Sequence, residues 1–240
     1  MPSDDTGARV STVVVSPQHV RSPTSSERRR DPPKPNVTKT SKPTSASRKR
    51  SKKPRASAAR EPERSLLAFA RLAKRLGLRW YVFGAQAVNL HGFPRATADL
   101  DLTIDMGALP LMDVVAKLRK SGFTPRFTDA EFLATTRVIP VVHGDFPIDL
   151  VLAGPGLEQQ FLDEVVLLPL EKLQIPVLSV ENLIVTKVLA GRPKDLEDVR
   201  ELIAIRDVDH GRVERLLAIV ERALDQSDLQ PLYRRLRAGS

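Results

Sequence analysis

The 240-residue chain carries 38 Lys and Arg against 29 Asp and Glu, is 41% hydrophobic and contains no cysteine. That length suits one or two domains with a real core, and the lack of cysteine excludes a disulfide framework, a thiolate metal site and a thiol nucleophile. No window approaches the roughly 18 apolar residues of a membrane span, and the opening MPSDDTGARVSTVVVSPQ has neither the basic start nor the apolar run of a secretory signal. A cytoplasmic protein with no membrane partner is therefore expected.

Charge is unevenly spread. Residues 1–60 hold 15 Lys and Arg against 4 Asp and Glu, whereas the remaining 180 hold 23 against 25. This first segment has no aromatic residue, is rich in Ser, Pro, Thr, Lys and Arg, and peaks at SRKRSKKPR (Ser47 to Arg55). Such a composition cannot bury enough surface to fold alone, so residues 1–60 read as a disordered basic tail. It could grip nucleic-acid phosphates without sequence preference, or serve only as a solubilising extension.

The folded part begins near Glu61, where ERSLLAFARLAKRLG (Glu63 to Gly77) spaces Leu66, Leu67, Ala70, Ala73 and Leu76 at helical intervals and stops at Gly77. RWYVF (Arg79 to Phe83) reads as a strand, and Gly84 turns it into a short helix, AQAVNLHG. DLDLTI (Asp99 to Ile104) alternates: Leu100, Leu102 and Ile104 share one face, Asp99, Asp101 and Thr103 the other. Asp99 and Asp101 thus point the same way with Cα atoms about 7 Å apart, near enough for one cation. Asp105, before Gly107, reads as a turn or cap acid outside this pair.

Leu109 to Gly122 reads as a helix. Val138 to Val142 and Pro147 to Leu152 follow as two strands joined around Gly144-Asp145. In the second strand Ile148, Leu150 and Leu152 share a face and leave Asp149 on the other, a third isolated acid in an apolar strand. The end of the chain is helical: Val180 to Gly191, Pro193 to Arg206, Gly211 to Leu224 and Asp228 to Arg237. The expected fold class is α+β, a mixed sheet flanked by helices followed by a C-terminal helical segment. The expected division is a tail at 1–60, a domain at 61–206 and C-terminal helices at 207–240.

The run Gly84-Ala85, His91-Gly92, Arg95, Thr97 and Asp99-x-Asp101 resembles the signature of the nucleotidyltransferase superfamily, the polymerase-beta-like fold, and within it the AbiEii-type toxins and related minimal nucleotidyltransferases. The later run KVLAGRPKDLEDV (Lys187 to Val199) resembles that group's second characteristic stretch. The similarity covers roughly Leu66 to Ile205.

The resemblance implies transfer of a nucleoside monophosphate from a nucleoside triphosphate to a hydroxyl acceptor, with Mg²⁺ or Mn²⁺ as cofactor. It implies Asp99, Asp101 and Asp149 as the metal-binding and catalytic carboxylates, and Gly84, Ala85, Arg95 and Lys187 as nucleotide contacts. It makes Asp195 either a residue that supports those contacts from behind or a catalytic one. Three clustered carboxylates repel one another without a cation, which is the physical reason to expect one; the alternative is a solvated strand face. Ala85 departs from the Gly-Gly or Gly-Ser of most active members and removes a hydroxyl that would bond phosphate. Arg95 otherwise reads as a surface arginine, and Asp195 as an acid complementing a helix dipole. His91 reads as a cap or packing residue, His143 and His210 as surface residues. The resemblance further suggests an RNA acceptor such as a transfer-RNA 3′ end, and an antitoxin partner. Two other classes stay open: a small-molecule transferase of the antibiotic-modifying kind, and a non-catalytic binding or regulatory module.

Overall fold

The computed structural model describes residues 61–239; the expectations for the basic tail lie outside the described residues. The elements in chain order are α1 (Glu61–Leu76), β1 (Arg79–Val82), α2 (Gly84–Leu90), β2 (Leu100–Asp105), α3 (Leu111–Lys120), β3 (Phe123–Pro125), α4 (Ala130–Thr136), β4 (Val138–His143), β5 (Phe146–Leu152), α5 (Leu157–Asp163), β6 (Val166–Leu170), β7 (Leu173–Val177), α6 (Val180–Ala190), α7 (Pro193–Ile205), α8 (His210–Leu224) and α9 (Leu229–Ala238). The seven strands form one mixed sheet in the order β3-β4-β5-β2-β1-β7-β6. The expected fold class holds: a mixed sheet flanked by helices, then a helical end. Among the described residues no helix is long and apolar enough to cross a membrane.

The sheet's centre follows from its alternation. β2 pairs with β1 antiparallel and with β5 parallel, so Trp80, Val82, Leu100, Leu102, Ile104, Ile148, Leu150 and Leu152 share one face. All are buried, and α1 covers them, with Phe69 edge-on to Trp80 at 5.2 Å and to Phe123 at 5.9 Å. On the other face Tyr81, Thr103 and Val151 are also buried, Tyr81 lying edge-on to Phe161 of α5. The carboxylates of Asp101 and Asp149 occupy the next row on that face.

The C-terminal helices form their own layer. Gly191 takes a left-handed φ of 64° and stops α6 by donating to the Lys187 carbonyl, after which Pro193 opens α7. α8 packs on α6, and α9 packs on α6, α7 and α8.

Several local expectations are corrected. The acidic strand begins at Leu100 and leaves Asp99 in the preceding bend, where the Thr97 hydroxyl donates to its carbonyl at 2.7 Å. Asp105 closes β2 and accepts from Gly107 N at 2.9 Å, the turn acid that was expected. His143 is half-buried, bonded to the Ser65 hydroxyl at 3.0 Å and stacked on Phe123; His210 is half-buried and bonded to the Tyr233 hydroxyl at 2.6 Å. Neither is a bare surface residue, because each fills space against an aromatic ring.

Candidate active site

The site is assembled where β1 ends and β2 begins. Asp101 and Asp149 are cross-strand partners in the parallel β2–β5 ladder, and partners in register project from the same face. Gly84 starts α2 directly beside them with φ of +65°. A Cβ there would collide with the Asp101 carboxylate, lying 2.9 Å from its Cγ, so only glycine lets the turn sit against the acid. The Phe83 amide donates to the Asp101 carbonyl at 3.1 Å and ties the turn to the strand.

A cleft of about 200 Å³ gathers Asp99, Asp101 and Asp149 with Gly84, Ala85, Arg95, Lys187 and Asp195. Every residue singled out from the sequence as a site candidate therefore lines one space. The cleft also takes in Arg192 and Asp198, neither of which was assigned a part. For Asp198 a signal was available: it stands three residues from Asp195 on one helix face, eleven residues beyond an apolar-flanked lysine.

Beside the carboxylates runs a chain of ion pairs. Lys187 is 4% exposed, and its ammonium lies 3.2 Å from Asp195 Oδ1 and 2.5 Å from Asp198 Oδ2. Arg95 pairs with Asp198, and Arg192 Nε donates to Asp195. Arg95 is anchored through its own amide, which donates to Asn89 Oδ1 at 2.8 Å. Burial lowers the Lys187 pKa, and the Asp195 carboxylate offsets this only in part. Burial pushes Asp195 up, but the Arg192 hydrogen bond and the Lys187 charge outweigh it and bring the carboxyl below its ordinary range. His91 stands apart: it caps α2 and its Nε2 lies 2.8 Å from the Leu178 carbonyl, the packing role expected.

The two acid groups thus differ in kind. Asp195 and Asp198 are neutralised by protein cations. Asp101 is pushed up to about 7, first by burial, then by the charges of Asp99 and Asp149, against the weaker pull of Arg192 and Lys187. A buried carboxylate flanked by two others is short of positive charge, and a divalent cation is the donor set's natural complement. Among the described residues no group of three or more His, Cys, Asp or Glu is arranged so that it could hold a metal ion by itself.

This sheet, with a glycine turn set against acids on adjacent strands, defines a nucleotidyltransferase-like protein. The chain belongs to the family described as nucleotidyltransferase of unknown function (DUF6036), whose model matches residues 68–235. An antigenic nucleotidyltransferase-like protein from Paracoccidioides brasiliensis is similar in structure, with a TM-score of 0.48 at 17% identity over 72% of this chain and 92% of that one. The antibiotic-resistance factor ANT(2'')-Ia gives 0.50 at 15% identity over 68% and 95%. The lincosamide antibiotic adenylyltransferase LnuA gives 0.45 at 17% over 60% and 98%. At these identities the likeness speaks to the fold alone. A comparison with curated proteins gave no match.

Proposed function

We propose that this protein transfers a nucleoside monophosphate from a nucleoside triphosphate to a hydroxyl acceptor and releases pyrophosphate. The observation that carries the proposal is the register of Asp101 with Asp149, on the sheet face that lines the cleft beside Gly84. Asp99, Asp101 and Asp149 would hold Mg²⁺ or Mn²⁺ together with substrate phosphate oxygens, and the cation would offset charge developing on the transferring phosphoryl group.

The chain's own residues supply the rest. Gly84 admits the backbone to the triphosphate, with Ala85 contributing no hydroxyl. Arg95, Lys187 and Arg192 set a positive field around the leaving pyrophosphate. The acceptor oxygen forms a bond to the α-phosphorus as its proton passes to a carboxylate oxygen of Asp149, and the bond from that phosphorus to the bridging oxygen breaks. Asp195 holds Lys187 and Arg192 in place. We assign this work to a domain at residues 61–206, against whose helices α6 and α7 the following helices α8 and α9 pack.

For the acceptor we retain RNA, as in the AbiEii-type resemblance, with an antitoxin as partner and the basic tail as a nonspecific nucleic-acid contact. The test incubates the full chain with each labelled nucleoside triphosphate and Mg²⁺ or Mn²⁺, in separate arms holding total RNA, protein or small hydroxylated antibiotics. Asp99→Asn serves as the inactive control. Label in RNA supports the toxin-like reading, and label in the third arm supports an antibiotic-type transferase. Nucleotide binding without pyrophosphate in any arm would leave a non-catalytic module.

A further inference from the structure

Asp198 is the cleft residue whose chemistry is most fully committed and least accounted for. It is 3% exposed, yet both of its oxygens meet cations from different segments. Oδ1 receives Arg95 from the loop between α2 and β2, and Oδ2 receives Lys187 from α6 at 2.5 Å. One carboxylate therefore fixes the spacing between two positive charges that the chain brings from 92 residues apart. Arg95, by contrast, is not fully used. Its side chain is 29% exposed, it lines the cleft, and its Nε is buried without a hydrogen-bond partner. Because that Nε is buried, it is the exposed part of the guanidinium, in the cleft lining, that can meet an oxyanion, and its planar fork suits one.

We propose that Asp198 is a positioning residue for phosphate recognition: it holds Arg95 and Lys187 at a set separation so that the remaining Arg95 donors meet the triphosphate of the nucleotide. The proposal rests on the nucleotidyl-transfer reading of the cleft. It makes a prediction opposite in sign to simple electrostatics. Removing a negative charge from an anion site should by itself tighten anion binding. If Asp198 positions the cations, removing its charge loosens binding, because the freed guanidinium no longer waits in the binding geometry.

The experiment is calorimetric titration of the full chain with inorganic tripolyphosphate in Mg²⁺ buffer at constant ionic strength. The unaltered protein binds, and Asp198→Asn weakens binding at least tenfold although the site has lost a negative charge. Asp198→Glu, which keeps the charge, recovers part of the affinity. Arg95→Lys, which keeps the positive charge and loses the fork, also weakens binding about tenfold, and adding Asp198→Asn to it costs little more, since the two act through one contact. Equal or tighter binding by Asp198→Asn overturns the proposal. Should that variant not fold by circular dichroism, Arg95→Lys decides alone: undiminished affinity overturns the proposal, and a tenfold loss supports it. If the unaltered protein binds no tripolyphosphate, the phosphate reading of the whole cleft fails and takes this inference with it, a result distinct from failure of Asp198 alone.

Discussion

Gly84 and Asp101 constrain each other at atomic range, and that contact gives a first residue-level prediction. Gly84→Ala would place a Cβ against the Asp101 carboxylate in a backbone with φ of +65°. Strain of this kind costs about 1–3 kcal/mol, so urea unfolding should show a loss in that range, accompanied by weaker Mn²⁺ binding as Asp101 is displaced. Asp101→Asn should do the reverse to the metal-free fold. It removes a buried negative charge flanked by Asp99 and Asp149, and should raise stability in EDTA by on the order of 1 kcal/mol while abolishing stabilisation by Mn²⁺. A destabilised Asp101→Asn protein in EDTA would mean the three acids do not repel one another.

Lys187 makes the contrasting case. From sequence a mid-helix lysine flanked by apolar residues invites a direct phosphate contact, but its ammonium is bonded to two buried carboxylates. Lys187→Ala should therefore do more than weaken nucleotide binding. It leaves Asp195 and Asp198 buried with less compensation, and breaking such a pair costs about 3–5 kcal/mol. A melting temperature unchanged by the substitution would show that the ammonium is not held as described.

At the scale of elements, the site depends on how α2 is fastened to the chain between the end of β7 and the start of α6. His91 ends α2 and bonds the Leu178 carbonyl, just beyond β7. Burial lowers its pKa, opposed by that hydrogen bond and assisted by the Arg206 charge. The folded state therefore binds this proton less readily than the unfolded chain, whose histidine titrates near 6.5. The sign follows directly: the contribution of neutral His91 is intact above about pH 6.5 and is lost as pH falls towards its lower folded value. Urea stability measured at pH 7.5 and 5.5 should show a drop that is smaller in His91→Gln than in the unaltered protein.

How much of this was legible depends on the element. The α1 helix, the β1–Gly84–α2 turn, β2, the β4–β5 hairpin and the last four helices all carry a period or a punctuating Gly or Pro, and their ends fall within a residue or two of the expected ones. What went unseen was β3, α4, α5, β6 and β7. Pro125, Pro169 and Pro176 stand inside three of these strands, and a proline argues against a strand unless it is known to lie at an edge. β3 and β6 are the two edges of the sheet. The helices α4 and α5 have seven residues each, too few for a 3.6-residue period to register. At the site, isolated acids in apolar strands were visible because such residues are costly there. Of the ion-pair chain only the Lys187, Asp195 and Asp198 half carried a local pattern; chain topology, rather than any such pattern, brings Arg95 to Asp198.

For the whole molecule, the dominant fact is that its excess of positive charge and its candidate chemistry occupy different parts of the chain. Beyond residue 60 there are 23 basic against 25 acidic residues, and three cations of the cleft already hold acids. A polyanionic acceptor such as RNA would find little general attraction on that part, since nonspecific affinity comes from phosphates neutralised by Lys and Arg. Residues 1–60, with 15 basic against 4 acidic, would supply it instead, and Ser47 to Arg55 holds the densest run. A protein beginning at Glu61 should keep the helical circular-dichroism signal, because the residues from Glu61 onward carry a buried core of their own. It should lose most nonspecific RNA affinity. In the full chain that affinity should fall by about a thousandfold between 50 and 200 mM salt if six phosphates are engaged, and the truncated protein should show a shallow salt slope. Filter binding across that salt range measures both. If truncation leaves affinity and slope unchanged, the RNA contact lies on the folded part, and the clusters Lys117-Arg119-Lys120 and Arg234-Arg235-Arg237 become the surfaces to neutralise next.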